Sequence, residues 1–149
     1  MDISAITNQI YIAAYPKSAD VETIKDLNIR LVINMIFHPP VREFSQSPLR
    51  LVTLRTFDSP WLRIPVNKLE KGVKEALPVI AEGDGVLMYC REGRHRSVAM
   101  TAAILIGLGS SADAAMQLIA EKREAADPYA PHIQSQIRKF EQRWKTENH

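Results

Sequence analysis

Apolar residues recur along this chain with two spacings, one typical of strands and one typical of helices. A continuous apolar run at 31–37 predicts a strand buried on both faces. Runs at 9–15 and 49–57 in which apolar and polar residues alternate predict two more strands, and the short apolar run 86–89 predicts a fourth.

Five further segments space their apolar residues as an amphipathic or buried helix does: 18–27, 67–80, 97–108, 110–119 and 133–144. Ser18, Asn67 and Ser110 are predicted N-caps, and the last two have an acidic residue three positions later, as in a capping box. Pro78 is expected to kink the second helix or to end it early.

The order of these elements predicts the fold class. Strands that alternate with helices and then give way to helices alone indicate an α/β domain with a central, mostly parallel sheet flanked by helices on both faces. No repeat, low-complexity stretch or linker divides the sequence, so one domain spanning residues 1–149 is expected. Ligands bind such sheets at the carboxyl ends of strands, which makes the loop after 86–89 the candidate site.

Composition limits the classes of function. The 149 residues are 46% hydrophobic and 24% charged, as in ordinary globular domains, and the net charge of +2 gives no reason to expect nucleic acid as a partner. No apolar run is long enough for a membrane span. Cys90 is the single cysteine, which excludes an internal disulfide and a cysteine-rich metal site. A free thiol and the lack of a leader-like segment predict a cytoplasmic protein.

The loop between the fourth strand and the third helix reads Cys-Arg-Glu-Gly-Arg-His-Arg-Ser over 90–97. Its backbone N–H groups lie at a helix N-terminus, where anions bind. The thiolate is the nucleophilic form of cysteine, and a position at a helix N-terminus beside arginine favours that form. We therefore expect Cys90 to be a nucleophile and the planar guanidinium of Arg96 to hold two phosphoryl oxygens. An inert core cysteine is the alternative, and the three arginines and one histidine around it argue against that.

The rest of this loop is assigned to phosphate binding, together with Arg96: Arg91, Glu92, Gly93, Arg94 and His95. Gly93 is expected to permit a sharp bend, although a generic turn glycine would look the same in the sequence.

Asp58 is the predicted general acid, donating a proton to the leaving oxygen and later acting as a base toward water. It lies in a turn-rich loop 32 residues before Cys90. A role as an ordinary turn or cap residue is the alternative. Trp61 and Arg63 follow it and are tentative rim residues of the pocket, with a core or lid-anchoring role still open for Trp61.

The spacing C-x5-R-S, with glycine three residues after the cysteine, resembles the signature of the cysteine-dependent protein tyrosine phosphatase superfamily. From about residue 10 to 140 the chain is similar to the compact dual-specificity branch. The resemblance implies a protein phosphatase that needs no metal or cofactor and hydrolyses phosphotyrosine and phosphoserine or phosphothreonine through a phosphocysteine intermediate. It also implies that Ser97 hydrogen-bonds the sulfur and eases its departure, beside a possible N-cap role.

Two features depart from the family pattern. Tyr89 stands where a histidine usually precedes the cysteine. Arg91, Arg94 and His95 are more cationic than the small and polar loop residues common in protein-directed members. The segment 93–97 resembles the Gly-Lys-His-Arg-Thr core of atypical phosphatases that act on inositol pyrophosphates. The expected partner is therefore a phosphorylated protein or a polyphosphorylated small molecule, with inositol phosphates, phosphoinositides and inositol pyrophosphates as the alternative substrates. A catalytically silent phosphate-binding module is the remaining alternative.

Overall fold

The computed structural model describes residues 1–147 and is built around a five-stranded sheet. The strands are β1 (Ile3–Ala5), β2 (Ile10–Ala13), β3 (Ile29–Asn34), β4 (Arg50–Thr53) and β5 (Gly85–Tyr89). Their order is β1-β2-β5-β3-β4, and only the β1–β2 pair is antiparallel. The predicted mostly parallel sheet is therefore confirmed. β1 was not predicted, because three partly exposed residues at an edge carry no alternation that a sequence could reveal.

All five predicted helices occur: α1 (Val21–Asp26), α2 (Val66–Ala81), α3 (Arg96–Gly107), α4 (Ala112–Lys122) and α5 (Pro131–Glu147). Single-turn 3-10 helices lie at Ser18–Asp20 and Arg42–Ser45. None of the helices within residues 1–147 has the length and apolar character that a bilayer span requires.

The predicted helix starts were wrong in detail. Lys17, not Ser18, is the N-cap of the first 3-10 helix, and the carboxylate of Asp20 accepts from the Lys17 N–H at 2.8 Å. α2 follows Pro65 without a side-chain cap. Ser111, not Ser110, caps α4 by accepting from the Ala114 N–H at 3.1 Å. Both serines are polar, so moving the N-cap by one residue leaves the same apolar residues buried. The hydrophobic pattern therefore cannot distinguish the two positions.

Pro78 does not end α2, which continues to Ala81. The buried face of α2 is formed by residues 66–76, upstream of the proline, so packing holds most of the helix in place. A proline in the last turn then removes one hydrogen bond there without breaking that contact.

Packing fixes the position of the strand–loop–helix unit that carries the cysteine. All five residues of β5 are buried between β2 and β3. α3 is buried along nearly its whole length, packing on β2 and β5 and against α2, α4 and α5. α1 covers β3, so helices flank the sheet on both faces as predicted. Both ends of the loop 91–95 are therefore anchored in the core.

Candidate active site

The loop 91–95 bends sharply between β5 and α3, and Gly93 makes this bend possible. Its φ is +64°, in the left-handed region that favours glycine. A Cβ at this position would lie 2.9 Å from the Ala13 carbonyl oxygen and 2.5 Å from Arg123 Nη2. Both the backbone angle and the close approach of β2 therefore require glycine here.

Cys90 lies at the carboxyl end of β5, and only 3% of it is exposed. Its Sγ is 3.1 Å from the Oγ of Ser97, which is fully buried in the first turn of α3. Cys90 lines a cleft of about 230 Å³, and the other lining residues are Asp58, Arg91, Glu92, Arg94, His95 and Arg96.

Arg96 presents an incompletely used guanidinium to this cleft. Its Nη1 donates to the Thr56 carbonyl at 3.0 Å, and this bond to the segment after β4 fixes the orientation of the guanidinium. Its Nε is buried and has no hydrogen-bond partner among the described residues. An unpaired buried donor costs about 1–3 kcal/mol, and an anion bound in the cleft would remove this cost.

Asp58 is held between two imidazoles. Its Oδ2 lies 2.9 Å from His95 Nδ1 in the loop, and its Oδ1 lies 2.7 Å from His132 Nε2 in the first turn of α5. Partial burial raises the pKa of Asp58, but hydrogen bonds and charge from His132 and His95 outweigh it, so the pKa falls below the usual 3.8.

The structure brings Cys90, Arg96, Ser97 and Asp58 close together, and it places His132 beside Asp58. One signal for His132 was available. It follows Pro131 at the start of a helix whose apolar stripe begins one residue later, so it had to lie beside the core. The sequence gives no reason for that end of α5 to approach residue 58.

Arg123, immediately after α4, supports the loop from behind. It is 2% exposed, and it donates from Nε to the Gly93 carbonyl at 2.8 Å and from Nη2 to the Glu92 carbonyl at 3.0 Å. Asp2 and Ser4 accept its remaining hydrogen bonds. The segment at edge strand β1 therefore helps to position Arg123, because Asp2 and Ser4 accept the hydrogen bonds that the loop carbonyls leave over.

Asp127 supports the same loop a few residues later. Its N–H donates to the Arg94 carbonyl at 3.0 Å, and its Oδ2 lies 3.6 Å from Arg94 Nη2 and 3.5 Å from His95 Nε2. In the sequence it looks like an ordinary loop residue. Arg94 is thus partly neutralised, whereas no ion pair of Arg91 is recorded among the described residues.

Trp61 and Arg63, the tentative rim residues, lie outside the cleft lining. Trp61 is 90% exposed, so the alternative of a core tryptophan is excluded. Arg63 donates to Ser135 Oγ at 2.9 Å and to the Pro60 carbonyl at 3.2 Å, which ties the loop of Asp58 to α5. Contact of either residue with a substrate stays a prediction.

Tyr89, which precedes the cysteine, is fully buried at the end of β5. Its ring lies 6.0 Å from that of Tyr15 and 6.1 Å from that of Phe44. Its hydroxyl has no hydrogen-bond partner among the described residues. Burial, with a smaller contribution from Tyr15, raises the pKa of Tyr89 far above its usual value of 10. The residue therefore stays neutral and packs as an aromatic.

A cysteine lies at the end of a central parallel strand, a sharp loop leads from it into a buried helix, and the loop that carries Asp58 faces it. This arrangement is the architecture of the cysteine-dependent phosphatases. Solved structures confirm the predicted resemblance to the compact dual-specificity branch. PTPMT1 in complex with PI(5)P is 25% identical, with 99% of each chain covered and a TM-score of 0.87.

Two human structures share the fold at lower identity. DUSP28 is 21% identical with a TM-score of 0.86, covering 97% of this chain and 99% of its own. A tyrosine phosphatase-like serine/threonine/tyrosine-interacting protein is 18% identical with a TM-score of 0.82, covering 97% and 98%. No protein-family model and no curated protein matches the chain.

Proposed function

We propose that this protein is a phosphatase that hydrolyses phosphomonoesters without a metal, through a phosphocysteine intermediate on Cys90. The observation that carries the proposal is the contact of Cys90 Sγ with Ser97 Oγ at a cleft that Cys90 and Arg96 both line. In the same cleft, the buried Nε of Arg96 has no hydrogen-bond partner among the described residues. A nucleophile, a hydroxyl that stabilises its charge and an anion-seeking guanidinium meet at one helix N-terminus.

In the first step, the Cys90 thiolate attacks phosphorus while the bond from phosphorus to the ester oxygen breaks. Asp58 in its protonated form donates a proton to that oxygen as it leaves with the bonding electrons. Arg96 and the loop N–H groups hold the three equatorial oxygens, on which charge accumulates in the transition state.

In the second step, water attacks the phosphocysteine and Asp58 accepts one of its protons. The phosphorus–sulfur bond breaks, and sulfur leaves as a thiolate that accepts a hydrogen bond from Ser97. Phosphate is released and Asp58 is protonated again, so the cycle consumes only water and ester.

The lowered pKa of Asp58 has a consequence for this cycle. An acid with a pKa below 3.8 is mostly ionised at neutral pH, so the proton-donating form becomes more abundant as the pH falls. Hydrolysis of esters with poor leaving groups should therefore accelerate toward acidic pH. Esters with good leaving groups, such as p-nitrophenyl phosphate, should show less of this effect.

Phosphotyrosine, with phosphoserine or phosphothreonine, is the default substrate class. Inositol phosphates and phosphoinositides are the second candidate, favoured by the PI(5)P complex of PTPMT1 and by the three arginines that line the cleft, Arg91, Arg94 and Arg96. Cations around a cleft raise the local concentration of polyanions. The expected location is cytoplasmic.

A phosphate-release panel in EDTA tests both the activity and the substrate class. It compares phosphotyrosine and phosphothreonine peptides, phosphoinositides and inositol pyrophosphates, with Cys90→Ser and Arg96→Ala as loss-of-function variants. The proposal predicts turnover by the wild type and none by Cys90→Ser. Hydrolysis that survives Cys90→Ser refutes the thiolate mechanism, and binding without turnover of any substrate favours a silent phosphate-binding module.

A further inference from the structure

Asp58, His95 and His132 form a group with the composition of a transition-metal site. Each supplies one ligand atom, and the three atoms lie within 4.8 Å of one another. The two imidazole nitrogens are 2.9 and 2.7 Å from separate oxygens of the same carboxylate. We propose that these three side chains bind a divalent transition-metal ion, with zinc as the reference ion, and that the bound ion reversibly inhibits the phosphatase.

The spacing fits such an ion. Zinc takes imidazole nitrogen at about 2.0–2.1 Å and carboxylate oxygen at about 2.0–2.2 Å, and in a tetrahedron neighbouring ligand atoms are then roughly 3.3 Å apart. The observed separations, from 2.7 Å up to at most 4.8 Å, bracket that value. Three protein ligands leave a fourth position, and Asp58 and His95 both line the cleft, so an anion or water from the cleft can fill it.

A second observation concerns the far side of His95. Its Nε2 is buried without a hydrogen-bond partner and lies 3.5 Å from Asp127 Oδ2. A histidine that binds metal through one nitrogen usually donates the other N–H to a carboxylate, which fixes the ring. With the ion on Nδ1, the ring proton of His95 would lie on Nε2, where Asp127 can accept it. The carboxylate that such a site requires behind the ligand is therefore already in place.

The donor set also selects the class of ion. Imidazole suits zinc, copper and nickel, whereas magnesium and calcium prefer sites made of oxygen ligands alone. Two imidazoles with one carboxylate should therefore bind Zn²⁺ and discriminate against Mg²⁺.

Inhibition follows from the identity of the ligands, and this part of the inference rests on the proposed function. A carboxylate bound to zinc has no proton to donate, so Asp58 cannot act as general acid while the ion is present. Catalysis itself needs no metal, and removal of the ion by a chelator should restore it.

The decisive measurement is calorimetric titration of ZnCl₂ into EDTA-stripped, desalted Cys90→Ser protein, in which the nucleophilic sulfur, itself a possible zinc ligand, is absent. One equivalent should bind. His132→Asn in the same background keeps a side-chain amide but loses the imidazole. Loss of an outer partner alone costs about 10–100-fold in metal affinity, so this loss of a ligand should weaken zinc binding at least about 100-fold.

Two matched variants sharpen the result. His38→Asn removes an exposed imidazole outside the cleft and should leave zinc affinity unchanged. Asp127→Asn should weaken binding about 10-fold or more through His95. Circular dichroism checks that each variant is folded, and titration with MgCl₂ should give no binding.

The outcomes are distinct. Failure of the Cys90→Ser protein to bind zinc, or equal affinity in the His132→Asn variant, overturns the site. In the protein with an intact cysteine, zinc should inhibit phosphate release, and His132→Asn should raise the inhibitory concentration about 100-fold. Calorimetry does not depend on turnover, so zinc binding at this site and phosphatase activity can fail separately.

Discussion

Arg123→Met removes the guanidinium that fastens the loop 91–95 while keeping an unbranched stem of similar length. The wild-type side chain is 2% exposed and bonds the carbonyls of Gly93 and Glu92 at 2.8 and 3.0 Å. In the variant these two acceptors lose a charged donor, and methionine offers nothing in its place.

The size of the effect can be worked from these contacts. Hydrogen bonds to charged groups contribute about 1.5–3 kcal/mol each, so loss of both should lower the free energy of unfolding by roughly 3–6 kcal/mol. The pair with Asp2 adds little, because 61% of the aspartate side chain is exposed. For a domain of this size a loss of 3 kcal/mol lowers Tm by roughly 6–12 °C.

Activity should fall together with stability, because the loop N–H groups are aimed by the backbone that Arg123 holds. A displacement of about 1 Å can cost about 100-fold in rate. We expect kcat on a phosphotyrosine peptide to fall about 10–100-fold, with a smaller change in KM. Arg123→Lys should lie between the two proteins, since one ammonium cannot reproduce all these contacts.

The assays are urea denaturation and steady-state phosphate release below the variant's Tm. Arg138→Met is the matched control, because Arg138 is 44% exposed and pairs with the exposed Asp113. It should change stability by no more than about 0.5 kcal/mol. An Arg123→Met protein with wild-type kcat and an unchanged urea midpoint would refute the proposed support of the loop.

Four further predictions concern the site. Asp58→Asn should reduce kcat on phosphotyrosine peptides about 100-fold or more but affect p-nitrophenyl phosphate less, as steady-state assays will show; equal losses would reject Asp58 as the acid. In EDTA, the ionised Asp58 should stabilise the fold above its usual pKa of 3.8, and this contribution should disappear as the pH falls through the lowered pKa; acid denaturation of wild type and Asp58→Asn checks this. Ser97→Ala should slow the second step, giving a burst of leaving group before a slower steady state in stopped-flow assays, and a variant with no burst and normal turnover argues against sulfur stabilisation. Tyr89→Phe removes an unpaired buried hydroxyl and should raise the unfolding free energy by up to about 1 kcal/mol at unchanged kcat; a loss of 1 kcal/mol or more in urea denaturation would imply a partner for the hydroxyl.

Local patterns predicted most of the architecture. The run through 31–37 and the nearly all-apolar segment 97–108 are apolar enough to be buried. Because predicted strands and helices alternate around them, an α/β sheet covered by helices is the expected fold. β1 escaped prediction because it is short and partly exposed, and the contacts of Asp2 and Ser4 at this edge are with an arginine more than a hundred residues away. No local pattern encodes such a contact.

The contrast between local patterns and contacts of distant residues also holds at the candidate site. Cys90, Arg96 and Ser97 could be proposed from the sequence because eight consecutive residues carry both the chemistry and its spacing. His132 and Asp127 could not be found, because they meet the loop only after α4 and α5 pack against α3. At position 95 the sequence predicted phosphate binding, which stays a prediction. The structure adds a contact that the sequence did not reveal, from the imidazole to the carboxylate of Asp58.

Direct detection of a phosphoryl group on Cys90 is the most immediate test of the proposed mechanism. Acid-quenched samples of the Ser97→Ala protein, taken during turnover of a phosphotyrosine peptide, can be digested and analysed by mass spectrometry. The phosphocysteine mechanism predicts one added phosphoryl group on the peptide that contains Cys90 and none in a Cys90→Ser control. Turnover that continues with no phosphoryl group on that cysteine would contradict it.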